Sequence, residues 1–173
     1  MVLQRERAIA VWGKAAPDAE VRVSLDGLAA SVVADGKGAW RAELAAHAAG
    51  GPYTLRIEES GAATTLLSDV WVGDVWLASG QSNMEWPLAQ SERGQADVAA
   101  ANDPQIRHFR IPKSWAGTPQ AQLQGGRWIA ATPDTAGAFS AVGYYFAKAL
   151  RERTEVPIGI IDAIDGSILV GSG

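Results

Sequence analysis

The chain has 173 residues, a formal net charge of −4 and no cysteine. That length suits one domain or two small ones. The negative balance argues against a nucleic-acid partner, which needs a basic face, and the missing thiols exclude disulfides, thiolate metal sites and a cysteine nucleophile. No Lys/Arg-rich run offers a polybasic patch to a membrane, and no apolar window reaches the length of a membrane-crossing helix.

Residues 1–68 read as all-β. Ile9-Ala10-Val11-Trp12 is a short apolar run closed by Gly13. Val21, Val23 and Leu25 alternate with Arg22 and Ser24, the period of a half-buried strand. Asp26-Gly27 is a hairpin-type turn, and Asp35-Gly36-Lys37-Gly38 is a second. Tyr53, Leu55 and Ile57 alternate with Thr54, Arg56 and Glu58. Short strands at this spacing predict a small all-β sandwich. Trp12 and Trp40 are expected in its core; the alternative for such residues is stacking on sugar rings. His47 reads as a solvated loop histidine with no chemistry.

From Asp69 the pattern becomes α/β. Val75-Trp76-Leu77-Ala78 reads as a fully buried strand of a parallel sheet. It breaks into Ser79-Gly80-Gln81-Ser82-Asn83. A serine just past the carboxyl end of such a strand sits where open α/β sheets bind ligands. A short helix is expected over 84–90, with Pro87 in its first turn and Glu85 favouring its positive end. Ser82 then reads as a helix cap, or as a residue beside backbone N–H groups that can hold an oxyanion.

Residues 91–101 read as helical. Residues 106–111 read as a strand, with Phe109 and Ile111 on one face and His108 on the other. Residues 112–126, rich in Pro, Gly and Gln, read as an irregular surface excursion. The clearest helix spans 141–153, capped by Ser140, with Val142, Tyr145, Phe146, Ala149 and Leu150 forming its apolar face. A second buried strand follows at Ile158-Gly159-Ile160-Ile161, which implies a parallel crossover.

The string GDVWLASGQSNMEWP (residues 73–87) resembles the first block of the SGNH-hydrolase superfamily, and SGQSNMEWP looks like its sialate O-acetylesterase branch. FSAVGYYFAKALRE and VPIGII resemble that family too. The resemblance implies a three-layer α/β SGNH-hydrolase-like domain over 69–173, behind the sandwich of 1–68. It implies that Ser82 is the nucleophile and an oxyanion N–H donor, that Gln81 and Asn83 contact substrate, and that Gly166 supplies a second oxyanion N–H. The implied partner is an acetylated carbohydrate, sialic acid or a hemicellulose, with no cofactor, metal, nucleic acid or membrane.

The family also uses an asparagine from a third block and a D-x-x-H base, and neither motif occurs here. Asp165 stands where tryptophan is usual. The chain thus reads as an incomplete α/β domain, expected to self-associate through its sheet. Its alternative is an inactive module that at most binds carbohydrate. His108, Asp162 and Asp165 are the substitute bases considered. MVLQR carries no signal peptide, and full-length relatives are expected to be periplasmic or secreted.

Overall fold

The structure, a computed structural model, describes residues 1–112, 118, 123 and 125–164. It divides into two compact units, Leu3–Gly73 and, with Met1 and Val2, the residues from Asp74 onward. Seven strands come first: β1 (Val2–Gln4), β2 (Ile9–Lys14), β3 (Glu20–Leu25), β4 (Leu28–Val33), β5 (Ala39–Leu44), β6 (Gly50–Glu59) and β7 (Thr65–Gly80). The first half of β7 belongs to the first unit and its second half to the other. The change of pattern read at Asp69 therefore falls inside a strand. Asp69 has φ 58° and lies where the β6–β7 register slips between Leu55↔Leu67 and Tyr53↔Val70, a bulge rather than a boundary.

In the first unit, β4, β3, β6 and the start of β7 form an antiparallel sheet in that order. β2 pairs antiparallel with β5. Val21, Val23 and Leu25 turn inward and Arg22 outward, as their alternation requires. Asp26 and Gly27 join β3 to β4 with both φ angles positive, 42° and 80°, the geometry of a two-residue hairpin turn.

Trp40 is buried among these strands, but Trp12 is 68% exposed. Ile9 and Val11 take the inward positions of β2, so Trp12 falls on the outer face. There it pairs in register with Arg41, whose guanidinium lies 6.0 Å from the indole centroid. His47 lies in a loop, as expected, but its side chain is largely enclosed rather than solvated. Its Nε2 lies 3.0 Å from Asp26 Oδ2 and its Nδ1 2.7 Å from the Ala48 carbonyl oxygen. The ring thereby ties the β3–β4 turn to the segment ahead of β6.

The second unit is mixed α/β. After β7 come α1 (Ser82–Glu85), a 3₁₀ turn (Leu88–Gln90), α2 (Gly94–Ala100), β8 (Asp103–Arg110), β9 (Trp128–Ala131), α3 (Ala141–Thr154) and β10 (Ile158–Ile164). β10 lies between the second half of β7 and β8, parallel to both. β9 pairs antiparallel on the far side of β8. The core joins Leu88, Ile106, Phe139, Tyr144, Ile158 and Ile160.

Three expectations need correction. The helix expected over 84–90 is broken in two. Trp86 and Pro87 are extended, with ψ 119° and 146°, because the residue before proline is pushed out of the helical region. β7 is not fully buried: Trp76 and Leu77 are 45% and 61% exposed, so among the described residues both faces of its second half stay open. The buried side of α3 is Ala141, Gly143, Tyr144 and Ala147, while Val142, Tyr145, Phe146 and Ala149 are exposed. Small residues let the helix axis approach the sheet closely, and that packing outweighs the more apolar stripe.

Candidate active site

Ser82 follows the last residue of β7 by two positions and opens α1. It stands at the carboxyl end of a parallel strand, as the sequence predicts. Gln81, Ser82 and Asn83 are all exposed. The N–H groups of Met84 and Glu85 both donate to the Gln81 carbonyl, at 2.9 and 3.2 Å. The N–H groups of Ser82 and Asn83 precede those bonds, so they are the donors that the turn itself does not use. Among the described residues Ser82 Oγ makes no hydrogen bond. Glu85 lies in the first turn of α1.

The turn is held from one side by the entry to α3. The Ala141 N–H donates to the Trp86 carbonyl at 2.8 Å, and the Leu88 N–H donates to the Phe139 carbonyl at 2.8 Å. Pro87 and Ser140 form an isolated antiparallel bridge. Ser140 caps α3 by accepting from the Gly143 N–H at 3.2 Å, and its hydroxyl donates to Met84 Sδ at 3.6 Å. The exposed Tyr145 donates its hydroxyl to Asp97 at 2.8 Å, linking α3 to α2.

His108 and Asp162 come together where sequence reading leaves them apart. His108 Nδ1 lies 2.9 Å from Asp162 Oδ2, with the side chains 3% and 1% exposed. His108 lies two residues after buried Ile106, and Asp162 two after buried Ile160. A polar residue in phase with the buried positions of each strand is the signal that the sequence offered. The imidazole stacks on Phe139 with ring centroids 4.2 Å apart and planes 6° from parallel.

An aspartate–histidine pair is half of a serine hydrolase triad, but this one does not serve Ser82. Ile160 is level with His108 on one side and Trp76 on the other. From Trp76 the strand continues to Gly80, about 13 Å at strand rise, before Ser82 is reached. Asp165 and Gly166 lie outside the described residues, so the second oxyanion donor stays an expectation. Among the described residues no three His, Cys, Asp or Glu side chains gather as a metal site, and no helix is long and apolar enough to cross a membrane.

The chain matches the sialate O-acetylesterase of Rattus norvegicus at 31% identity over 183 residues, covering 94% of this chain and 33% of that protein. The sialate O-acetylesterase of Mus musculus is 28% identical, over 98% of this chain and 35% of its own length. A crystal structure of a carbohydrate acetylesterase from Xanthomonas citri superposes with a TM-score of 0.92 at 57% identity, covering 94% of this chain and 38% of that one. The chain is a homologue of the sialate O-acetylesterases.

These relatives are esterases by name. The chain spans about a third of the length of the sialate O-acetylesterases it matches. No protein-family model matches it. The superposition extends the likeness to the mixed α/β architecture that carries Ser82.

Proposed function

We propose that Ser82 is the nucleophile of a carbohydrate O-acetylesterase, within an SGNH-type α/β domain that follows a β-sandwich. The observation that carries this reading is the placement of Ser82: exposed, at the carboxyl end of β7, on a turn with two unused N–H groups, in a chain 57% identical to a carbohydrate acetylesterase. Ser82 Oγ attacks the acetyl carbonyl carbon and loses its proton to a base. The C–O bond to the sugar breaks, and the sugar oxygen leaves with a proton. Water then cleaves the acetyl-serine to acetate and restores the hydroxyl. The Ser82 N–H, with that of Gly166, holds the oxyanion. Gln81 and Asn83 flank the nucleophile and contact the sugar. The substrate is O-acetylated sialic acid or a related acetylated sugar.

A second reading is a module that at most binds carbohydrate without turning it over. It is favoured by the enclosure of His108, which follows Ser82 in sequence but lies beneath α3. Trapping decides between the two. The chain is incubated with 4-nitrophenyl acetate, quenched in acid and digested, alone and as a longer product that includes a downstream Asp-x-x-His. An acetyl group on the Ser82 peptide, absent from Ser82→Ala, supports the nucleophile. Acetylation elsewhere, or none in the longer product, overturns it.

A further inference from the structure

The buried His108–Asp162 pair takes no part in the chemistry above, yet it is costly to keep. Among the described residues, Nε2 of His108 and Oδ1 of Asp162 are buried with no hydrogen-bond partner. Two apolar residues would fill the same place without stranding polar atoms.

What rests on the pair gives the reason. The face of the imidazole carries Phe139, 4.2 Å away and nearly parallel. Its edge meets the first turn of α3: a Cβ added at Gly143 would lie 3.2 Å from Cε1 and 3.4 Å from Nε2. Phe139, Ser140 and Ala141 are the residues that grip the Ser82 turn, through the Leu88 and Trp86 backbone bonds and the Met84 sulfur. Contacts thus run from Asp162 to His108, to Phe139 and Gly143, to Ser140 and Ala141, and to Met84 and Trp86 beside Ser82. A larger ring at position 108 would collide with Gly143. An unanchored ring would turn about its own bond and lose its parallel seat under Phe139. The carboxylate of Asp162 holds the imidazole by an in-plane atom and so fixes that rotation.

We propose that His108 and Asp162 are positioning residues for the Ser82 turn: their hydrogen bond sets the floor on which Phe139–Gly143 sits, and that segment sets the turn. Only the catalytic consequence rests on reading Ser82 as the nucleophile; the placement of the turn does not.

The test uses the whole chain and a signal at the turn itself. With methionine labelled at the ε-methyl carbon, the spectrum has two resonances, from Met1 and Met84. His108→Leu removes the anchored ring. Gly143→Ala presses on the ring from the helix side without altering charge. Asp162→Asn keeps an oxygen that accepts from Nδ1–H. We expect the first two to shift the Met84 resonance and to speed amide exchange at residues 82–88 by about tenfold or more. Exchange at Ile158 and Ile160 and the position of the Met1 resonance should stay put. Asp162→Asn should stay close to the parent.

In the longer product that includes the downstream Asp-x-x-His, labelling of Ser82 by a fluorophosphonate should slow by roughly tenfold to a hundredfold when either substitution is made, the cost of misplacing a reacting group. Should His108→Leu fail to fold, Gly143→Ala decides alone. An unmoved Met84 resonance and unchanged exchange at 82–88 in a folded variant overturn the proposal. If these shift while Ser82 goes unlabelled even in the unsubstituted longer product, the positioning role stands and the nucleophile reading falls.

Discussion

Trp76 and Phe146 meet edge to face, their ring centroids 5.1 Å apart and their planes at 84°. Each still keeps much of its surface in solvent, as do Leu77 and Val142 nearby in sequence. Contiguous aromatic surface of this kind favours association.

We therefore expect the isolated chain to self-associate. Sedimentation velocity should show a weight-average coefficient that rises with concentration, and Phe146→Lys should flatten that rise. A compact monomer with high thermal stability at all concentrations would refute this.

A sharper stability effect is expected in the β4–β5 turn, which joins strands of two different sheets rather than closing the expected hairpin. Gly38 has φ 77°, and a Cβ there would run into the Ala15 carbonyl oxygen. Ala15 N–H already donates to the Gly38 carbonyl at 2.9 Å, so the two backbones cannot draw apart without losing that bond. Gly38→Ala should cost about 1–3 kcal/mol, read as a lower urea midpoint at unchanged slope.

The same turn carries a pH dependence. Asp35 accepts from the Ala39 and Lys37 N–H groups, each at 2.8 Å. These bonds, the Ala39 one foremost, hold its carboxyl below the ordinary value of 3.8. A group with a lowered folded pKa adds stability above its unfolded pKa and loses it as pH falls through the folded one. Asp35→Ala should therefore melt below the parent at pH 7. The gap should narrow below about pH 4 and close as the carboxyl protonates. A gap constant from pH 7 to pH 2 would show that the charge contributes nothing.

What the sequence disclosed about this fold depended on how local the cause was. Val21, Val23 and Leu25 announce their burial by alternation, and Asp26-Gly27 announces its turn by chemistry, so both are readable within a few residues. Trp12 was misplaced because an unbroken apolar run does not say which parity faces inward. The α3 face was misread for a different reason. Helix periodicity favours Val142 and Phe146, whereas the distance of closest approach to the sheet selects Ala141, Gly143 and Ala147.

In the candidate site, the position of Ser82 at a strand end is legible from the apolar run before it. The His108–Asp162 contact was not. It joins residues 54 apart, and only the parallel register of β8 on β10 brings them together. Neither residue's neighbours in sequence encode that register.

The rate of the short chain follows from the same geometry. His47 and His108 are its two histidines; the first is bound to the Asp26 turn and the second is enclosed beneath α3. With His47 tied to its own turn and His108 enclosed, hydrolysis of 4-nitrophenyl acetate by the 173-residue chain should lie near background. Loss of one oxyanion donor alone costs about 10²–10³ in rate. Ser82→Ala should then change little, while the longer product with its Asp-x-x-His should show activity that Ser82→Ala abolishes. Robust turnover by the short chain would point to an overlooked base.

Met84 gives the turn one more property. The chain has two methionines and no cysteine, so its thioether chemistry lies at the amino terminus and beside Ser82. Met84 Sδ accepts the Ser140 hydroxyl at 3.6 Å. An oxidant such as peroxide adds one oxygen to that sulfur, giving a polar, chiral sulfoxide in place of a soft apolar group. Oxidation at Met84 would therefore alter the segment that presents Ser82, and a methionine sulfoxide reductase would be the means of reversing it.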